Sequence, residues 1–250
     1  MKVSQARSIS TNQTQVHEDL HKILARHKLN EFKRPIAHHT TVAFNDMLAW
    51  LGSFSGDLIL DAGCGVGEST INIAAQYPDV KVIGVDKSIV RLDKHKSYAL
   101  QLSAQKNKTS SESTHSVGPN YLLLQADLND FWRLLATYIQ ENKPTWQVSK
   151  QFILYPNPYP KKSQIGKRWH GSALFPVIVN VSANIELRSN WRLYLEECLL
   201  GAKYYGLGGN ISEISIDGST LAYTPFERKY MESNQACFKL VIRASGRDKK

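Results

Sequence analysis

The chain has 250 residues, with 31 Lys and Arg against 22 Asp and Glu, a formal net charge of +9 and a pI near 9.4. That length suits one α/β domain with additions, and the charge points to a polyanion as partner, nucleic acid or an anionic surface, without bearing on the fold. No apolar run approaches the ~18 residues of a membrane span, Met1 to Thr14 lacks the apolar stretch of a secretory signal, and Cys64, Cys198 and Cys237 form neither a metal cluster nor an even disulfide set, so the expected setting is reducing and cytoplasmic.

Residues 1–36 read as a polar tail and an amphipathic helix, with Val16, Leu20, Ile23 and Leu24 at helical spacing. His17 and His21 stand at i, i+4 and His27 lies nearby. That pair could hold a metal on one helix face, but no carboxylate or cysteine joins it, so solvated histidines and no metal are expected. Residues 37–250 read as a single domain. A helix from Val42 to Leu51 leads into a strand, Asp57 to Asp61, then a turn with Gly63, Gly65 and Gly67 and a helix from Glu68 to Tyr77. Val82 to Asp86 is the second strand. Ser88 is placed to cap a helix with Ile89, Val90, Leu92, Ala99 and Leu100 on its stripe. Residues 105–119 have no period and read as a mobile loop. Tyr121 to Asp127 is the third strand, and the helix after it carries Phe131, Trp132, Leu135 and Tyr138. Phe152 to Tyr155 is the fourth strand and Ala183 to Arg188 the fifth. An amphipathic helix from Trp191 to Ala202 ends at Gly206 to Gly209, and Ile211 to Ile216 with Phe238 to Ile242 form an antiparallel pair. Strands alternating with helices predict an α/β fold, a doubly wound, mostly parallel, Rossmann-like sheet with an antiparallel C-terminal strand pair.

The glycine turn selects among cofactors. A dinucleotide fingerprint needs a sixth-position glycine, where Glu68 stands, and a P-loop needs a Gly-Lys-Ser/Thr that is absent. Asp61 and Glu68 repel phosphate but tolerate a cation, and S-adenosylmethionine carries a sulfonium and an ammonium. Asp86, about 20 residues past the glycines, can accept from ribose hydroxyls, and Asp127 can accept from the adenine amino group. These strand-end acids predict a class I methyltransferase. Cys64 reads as a small buried filler within the turn.

Ligands of such sheets sit at the carboxyl ends of the strands. There Pro156-Asn157-Pro158-Tyr159-Pro160 is barred from helix and sheet alike, so Asn157 and Tyr159 lie on a stiff loop. From Asn142 through Ile185 the chain has no acid, yet it carries Lys143, Lys150, Lys161, Lys162, Lys167 and Arg168. Bases interleaved with aromatics suggest a nucleic-acid substrate.

Tyr155 to Lys162 resembles the Pro-Asp-Pro-Trp-Pro-Lys-Lys loop of the tRNA (guanine-N7)-methyltransferases, and Lys167-Arg168 the basic pair after it. Leu187 to Trp191 resembles that family's Thr-Asp-Trp segment, and Thr224 to Tyr230 its Thr-x-Phe-Glu motif. The resemblance implies methyl transfer from S-adenosylmethionine to guanine N7 in the tRNA variable loop, conventionally position 46. It assigns cofactor contacts to Asp61, Asp86 and Asp127, with Gly63, Gly65, Lys87 and Leu128 beside them, and the catalytic position to Asn157. Substrate contacts fall to Tyr159, Lys161, Lys162, Lys167, Arg168, Asn190, Thr224, Phe226 and Glu227. The implied partner is tRNA, with the chain a monomer or weak homodimer away from membranes. Two family aspartates are asparagines here, at 157 and 190. An amide keeps an acceptor oxygen but gives up charge assistance. Alternatives are another RNA or amino-group methyltransferase, on the likeness of Asn157-Pro158 to an Asn-Pro-Pro-Tyr loop, and a low-activity tRNA-binding paralogue.

Overall fold

The architecture is that of a computed structural model, which describes residue 6 and residues 8–95, 118–215 and 222–244. In chain order the elements are α1 (Leu20–Leu29), α2 (His38–Leu51), β1 (Gly56–Ala62), α3 (Glu68–Gln76), β2 (Lys81–Asp86), α4 (Ile89–Leu92), β3 (Tyr121–Gln125), α5 (Leu128–Asn142), β4 (Trp146–Leu154), α6 (Phe175–Val181), β5 (Ile185–Ser189), α7 (Arg192–Tyr204), β6 (Leu207–Glu213), α8 (Pro225–Glu232) and β7 (Phe238–Ala244). Two 3-10 turns, Lys162–Lys167 and Trp169–Gly171, lie between β4 and α6. The described strands form a seven-stranded sheet in the order β3-β2-β1-β4-β5-β7-β6. This is the expected α/β fold, mostly parallel with an antiparallel C-terminal pair. The chain divides into two compact units, residues 35–152 and residues 1–34 with 153–250.

In the unit of residues 35–152, β1 pairs in parallel with β2 and β4, and β2 with β3. Central parallel strands are covered on both faces and so read as unbroken apolar runs. Leu58, Ile59 and Leu60 of β1 and Val82, Ile83 and Val85 of β2 are all buried. α5 lays Phe131, Trp132 and Leu135 into this core, and the Trp132 indole donates to Gln151 Oε1 at 2.9 Å, so neither buried polar group is left over. Lys143, left-handed at φ 45°, closes α5. Ser88 stands at the N-cap of α4, but its side chain makes no capping bond; its N–H instead donates to Asp86 Oδ1 at 2.8 Å. Ala99, Leu100 and the expected loop at 105–119, apart from Gly118 and Pro119, lie outside the described residues.

In the other unit β7 lies between β5 and β6, antiparallel to both. The edge strand begins at Leu207, so Gly208 and Gly209 are strand residues, and only Gly206, at φ 78°, serves the helix end. Of the expected stripe Trp191, Tyr194, Leu195, Cys198, Leu199 and Ala202, α7 buries Tyr194, Leu195, Cys198 and Ala202, together with Leu193 and Glu197, while Trp191 and Leu199 are half-buried. α6 was not legible in the sequence. Its run Phe-Pro-Val-Ile-Val-Asn-Val is β-branched, which disfavours helix, yet Pro176 suits the first turn. Two of the three histidines also depart from expectation, while His21 is exposed as expected. His17 is buried and its Nδ1 accepts from Asp19 N, while His27 Nε2 donates to the Gly171 carbonyl. Among the described residues no helix is long and apolar enough to cross a membrane.

Candidate functional site

β1 delivers Asp61 to the head of the glycine turn. Gly63, Gly65 and Gly67 have φ of 85°, 61° and 77°, the left-handed region that glycine enters without a Cβ penalty. The turn is pinned to β2: Gly63 N and Cys64 N donate to the Val85 carbonyl at 2.8 and 3.1 Å, and Gly65 N donates to Asp86 Oδ2 at 3.1 Å. Two of these glycines differ in kind. A Cβ on Gly67 would stand 2.5 Å from His95 Nδ1 and Leu123 Cδ1, so that position is fixed by packing, whereas a Cβ on Gly65 would meet nothing within 4 Å. The turn thus offers bare backbone to open space at Gly65.

Asp61 is 1% exposed. Its Oδ2 accepts from the Ser69 and Thr70 hydroxyls at 2.6 and 2.7 Å, and its Oδ1 has no hydrogen-bond partner among the described residues. Burial, opposed by those two hydroxyls and reinforced by the Asp86 charge, pushes its carboxyl up to about 6. A buried carboxylate oxygen without a donor is costly, and a ligand that brings an ammonium or hydroxyl would relieve it. Asp86 accepts backbone N–H groups on both oxygens, with Arg91 Nη1 at 3.5 Å from Oδ2. Asp127 caps α5 through Asn129 N at 2.8 Å. Lys87 is exposed, and Leu128 Cδ1 lies 3.9 Å from where a Cβ on Gly63 would stand. Cys64 is buried, and burial with the two nearby carboxylates pushes its thiol well up, so it packs rather than reacts. Sequence reasoning passed over Ser69, Thr70 and His95. The two hydroxyls, in the first turn of α3 directly after the glycines, were the readable signal.

In the other unit, Asn157 is exposed and its Oδ1 accepts from Tyr159 N at 3.3 Å, closing a tight turn across Pro158. Lys161 and Lys167 are exposed, and Lys167 Nζ stands 5.9 Å from the Tyr159 ring centre. Lys162 pairs with Glu18 at 2.8 Å. Arg168 departs from its expected phosphate role. It is 0% exposed, its Nη1 donates to Glu197 Oε2 at 2.6 Å, and its Nε and Nη2 donate to the Tyr159 carbonyl at 3.1 and 3.0 Å. A guanidinium so enclosed organises the loop from beneath.

The Thr-x-Phe-Glu stretch is likewise largely internal. Thr224 Oγ1 accepts from Glu227 N at 3.0 Å, an N-cap on α8. Glu227 is 0% exposed; its Oε1 accepts from Tyr155 OH at 2.9 Å and Arg188 Nη1 at 2.8 Å, and its Oε2 from Tyr223 N at 2.6 Å. Arg188 also grips Glu186 Oε1 through Nε and Nη2 at 2.9 and 2.7 Å. The Thr224 and Glu227 side chains, expected from the sequence to contact substrate, lie here in a helix cap and a buried ion pair. Phe226, by contrast, is 55% exposed. Asn190 Nδ2 donates to Gln235 Oε1 at 3.3 Å and is half-buried. Among the described residues no group of three or more His, Cys, Asp and Glu is disposed to hold a metal.

A family model described as "Putative methyltransferase" matches residues 55–240. No curated protein matches the chain in sequence. Among solved structures it is similar to an antibiotic-related methyltransferase, at 12% identity and a TM-score of 0.53 over 86% of this chain and 97% of that one. It is similar to the 16S rRNA methyltransferase KamB, at 15% identity and 0.53 over 85% and 96%. A third is a variant of the 16S rRNA (adenine(1408)-N(1))-methyltransferase from Catenulisporales acidiphilia, described with cosubstrate SAM, at 14% identity and 0.51 over 82% and 93%. At these identities the likeness is one of fold.

Proposed function

The chain belongs to the tRNA (guanine-N7-)-methyltransferase family, and from that premise we propose that it methylates N7 of a guanine in tRNA, at position 46 of the variable loop, in the cytoplasm. As a class I methyltransferase it uses S-adenosylmethionine, which supplies a methyl group activated by its sulfonium. The residues present fit that donor. Asp61 offers a buried oxygen without a partner, Gly65 offers open backbone, and Asp86 and Asp127 offer acids at strand ends. The observation that carries the nucleic-acid half of the reading is the exposed Asn157 on a proline loop that also bears Tyr159, Lys161 and Lys167.

Guanine N7 holds a lone pair as an acceptor on the major-groove edge, so it need not lose a proton before it attacks. A general base is then unnecessary, which suits a loop whose central polar side chain is an amide. In this reading Asn157 orients the base, Tyr159 packs against it, the lysines hold phosphates, and the rate comes from alignment. Incubating the chain with tRNA and a labelled methyl donor, then identifying the modified nucleoside, tests the reading directly. 7-Methylguanosine is expected, and Asn157→Ala is expected to slow single turnover by roughly ten- to hundredfold. Any other methylated nucleoside refutes the specificity, and an unchanged single-turnover rate removes Asn157 from the site.

The lysines carry a second expectation. tRNA affinity should fall with salt through counterion release. Lys161→Ala and Lys167→Ala should each lower the slope of log Kd against log salt by about one. Arg168, being buried, should contribute no slope of its own. Slopes that stay unchanged in both lysine variants would take the phosphates elsewhere.

A further inference from the structure

Two non-glycine residues of the proline loop occupy the left-handed region directly before prolines, Tyr155 at φ 50° and Tyr159 at φ 43°. A residue preceding proline favours extended backbone, and such conformations persist only where the surroundings over-determine them. What holds Tyr159 is buried. Its carbonyl accepts from both Nε and Nη2 of Arg168, and Nη2 also reaches the Lys161 carbonyl at 3.4 Å. Arg168 is fixed in turn by Glu197 and stacks its guanidinium 4.8 Å from the Trp191 ring centre.

Glu197 has donors at both oxygens. Oε2 accepts from Arg168 Nη1 and from His170 Nε2 at 2.8 Å, while Oε1 accepts from Gln13 Nε2 at 2.6 Å and from His17 N at 2.9 Å. Gln13 and His17 belong to the segment that precedes α1, and that segment also touches the loop itself. The Thr11 hydroxyl donates to the Pro160 carbonyl at 2.6 Å, Asn12 Oδ1 accepts from Lys162 N at 3.3 Å, and Glu18 meets Lys162 Nζ at 2.8 Å. The same eight residues are therefore tied to the loop from above and to its buried anchor from below.

We propose that residues 11–18, Glu197 and Arg168 form a brace that sets the shape of the 157–162 loop, so that Arg168 and Glu197 are positioning residues and the N-terminal segment is a working part of the substrate site. The proposal rests on the reading that this loop presents the purine. A loop shaped before the substrate arrives has less ordering to lose on binding. Loosening the brace then raises the KM for tRNA and lowers kcat, while donor affinity, which belongs to the glycine turn, stays as it was.

The test compares two variants with the wild-type chain by hydrogen–deuterium exchange over the 157–162 loop, by single-turnover methylation of tRNA, and by donor titration. Arg168→Lys keeps the charge but lacks the fork that grips both carbonyls. Thr11→Val combined with Asn12→Ala removes two of the strap's three contacts with the loop and leaves Glu18–Lys162 and the buried pair intact. In each, loop amides with wild-type protection are expected to exchange about tenfold faster while β1–β3 are unchanged, tRNA kcat/KM is expected to drop about tenfold, and the donor Kd is expected to hold. Thr11→Ser in place of Thr11→Val, with Asn12 retained, should restore wild-type exchange. Loop exchange within about twofold of wild type in the strap variant overturns the brace. That variant decides alone if Arg168→Lys fails to fold. A wild-type chain that methylates no tRNA refutes the proposed function, and the exchange readout still decides the brace.

Discussion

Replacing Glu227 by alanine is expected to lower the stability of the chain by about 3–5 kcal/mol, the usual scale for breaking a buried ion pair from one side. The carboxylate serves three donors. Without it the Arg188 guanidinium keeps Glu186 and its place over the Tyr223 ring, and the part-buried Tyr155 OH and Tyr223 N lose this carboxylate. Burial alone would lower the Arg188 pKa, but Glu227 and Glu186 outweigh it and raise it, so the side chain stays charged and must stay paired. Glu227→Gln retains an acceptor oxygen and should cost only about 1–2 kcal/mol. Urea unfolding of the three proteins separates this from a substrate-contact role, for which alanine would impair turnover and leave the unfolding midpoint in place. A loss under about 1 kcal/mol for Glu227→Ala would return the residue to the substrate surface.

The Glu227 case also indicates where the sequence was legible. The β1 strand, its glycine turn and the helix after it could be read because each rests on local chemistry: an unbroken apolar run, then residues able to hold positive φ, then a hydrophobic period. β7 inserted between β5 and β6 could not be read, because strand order depends on pairing between segments far apart in the chain. The fate of the basic stretch shows the same limit. Lys161, Lys167 and Arg168 look alike in the sequence, but Arg168 finds its carboxylate 29 residues away on α7 and is drawn inside. One hint was present, since Glu197 sits beside Cys198 within an otherwise apolar stripe. A second was the Thr-x-x-Glu spacing at Thr224 and Glu227, which is a helix-capping pattern as well as a family motif. In both places a charged residue at an apolar or capping position is drawn into a buried ion pair.

Asp61 supplies the other large effect, and its sign follows from burial. The folded carboxyl sits at about 6 against the usual 3.8, so folding favours the protonated form. Stability from this group is fully present below pH 3.8 and is lost as pH rises through 6, a total of about 3 kcal/mol at 1.36 kcal/mol per unit. Asp61→Asn is neutral throughout and removes that slope. Between pH 4 and pH 7.5 the variant should gain about 2.4 kcal/mol on the wild-type chain in donor-free unfolding experiments. Donor binding should move the opposite way. A cationic donor favours the ionised carboxylate, so wild-type affinity for S-adenosylmethionine should rise as pH climbs through 6, with proton release detectable by calorimetry in buffers of different ionisation enthalpy. The amide should bind weakly and without that pH dependence. With a folded value of about 6 the carboxyl is mostly ionised at neutral pH, so the empty site holds a buried charge there, and the unpartnered Oδ1 is where that cost is visible. Parallel unfolding curves for the two proteins across this pH range would show that the folded Asp61 carboxyl titrates at its ordinary value, and the buried, strained acceptor would then not exist.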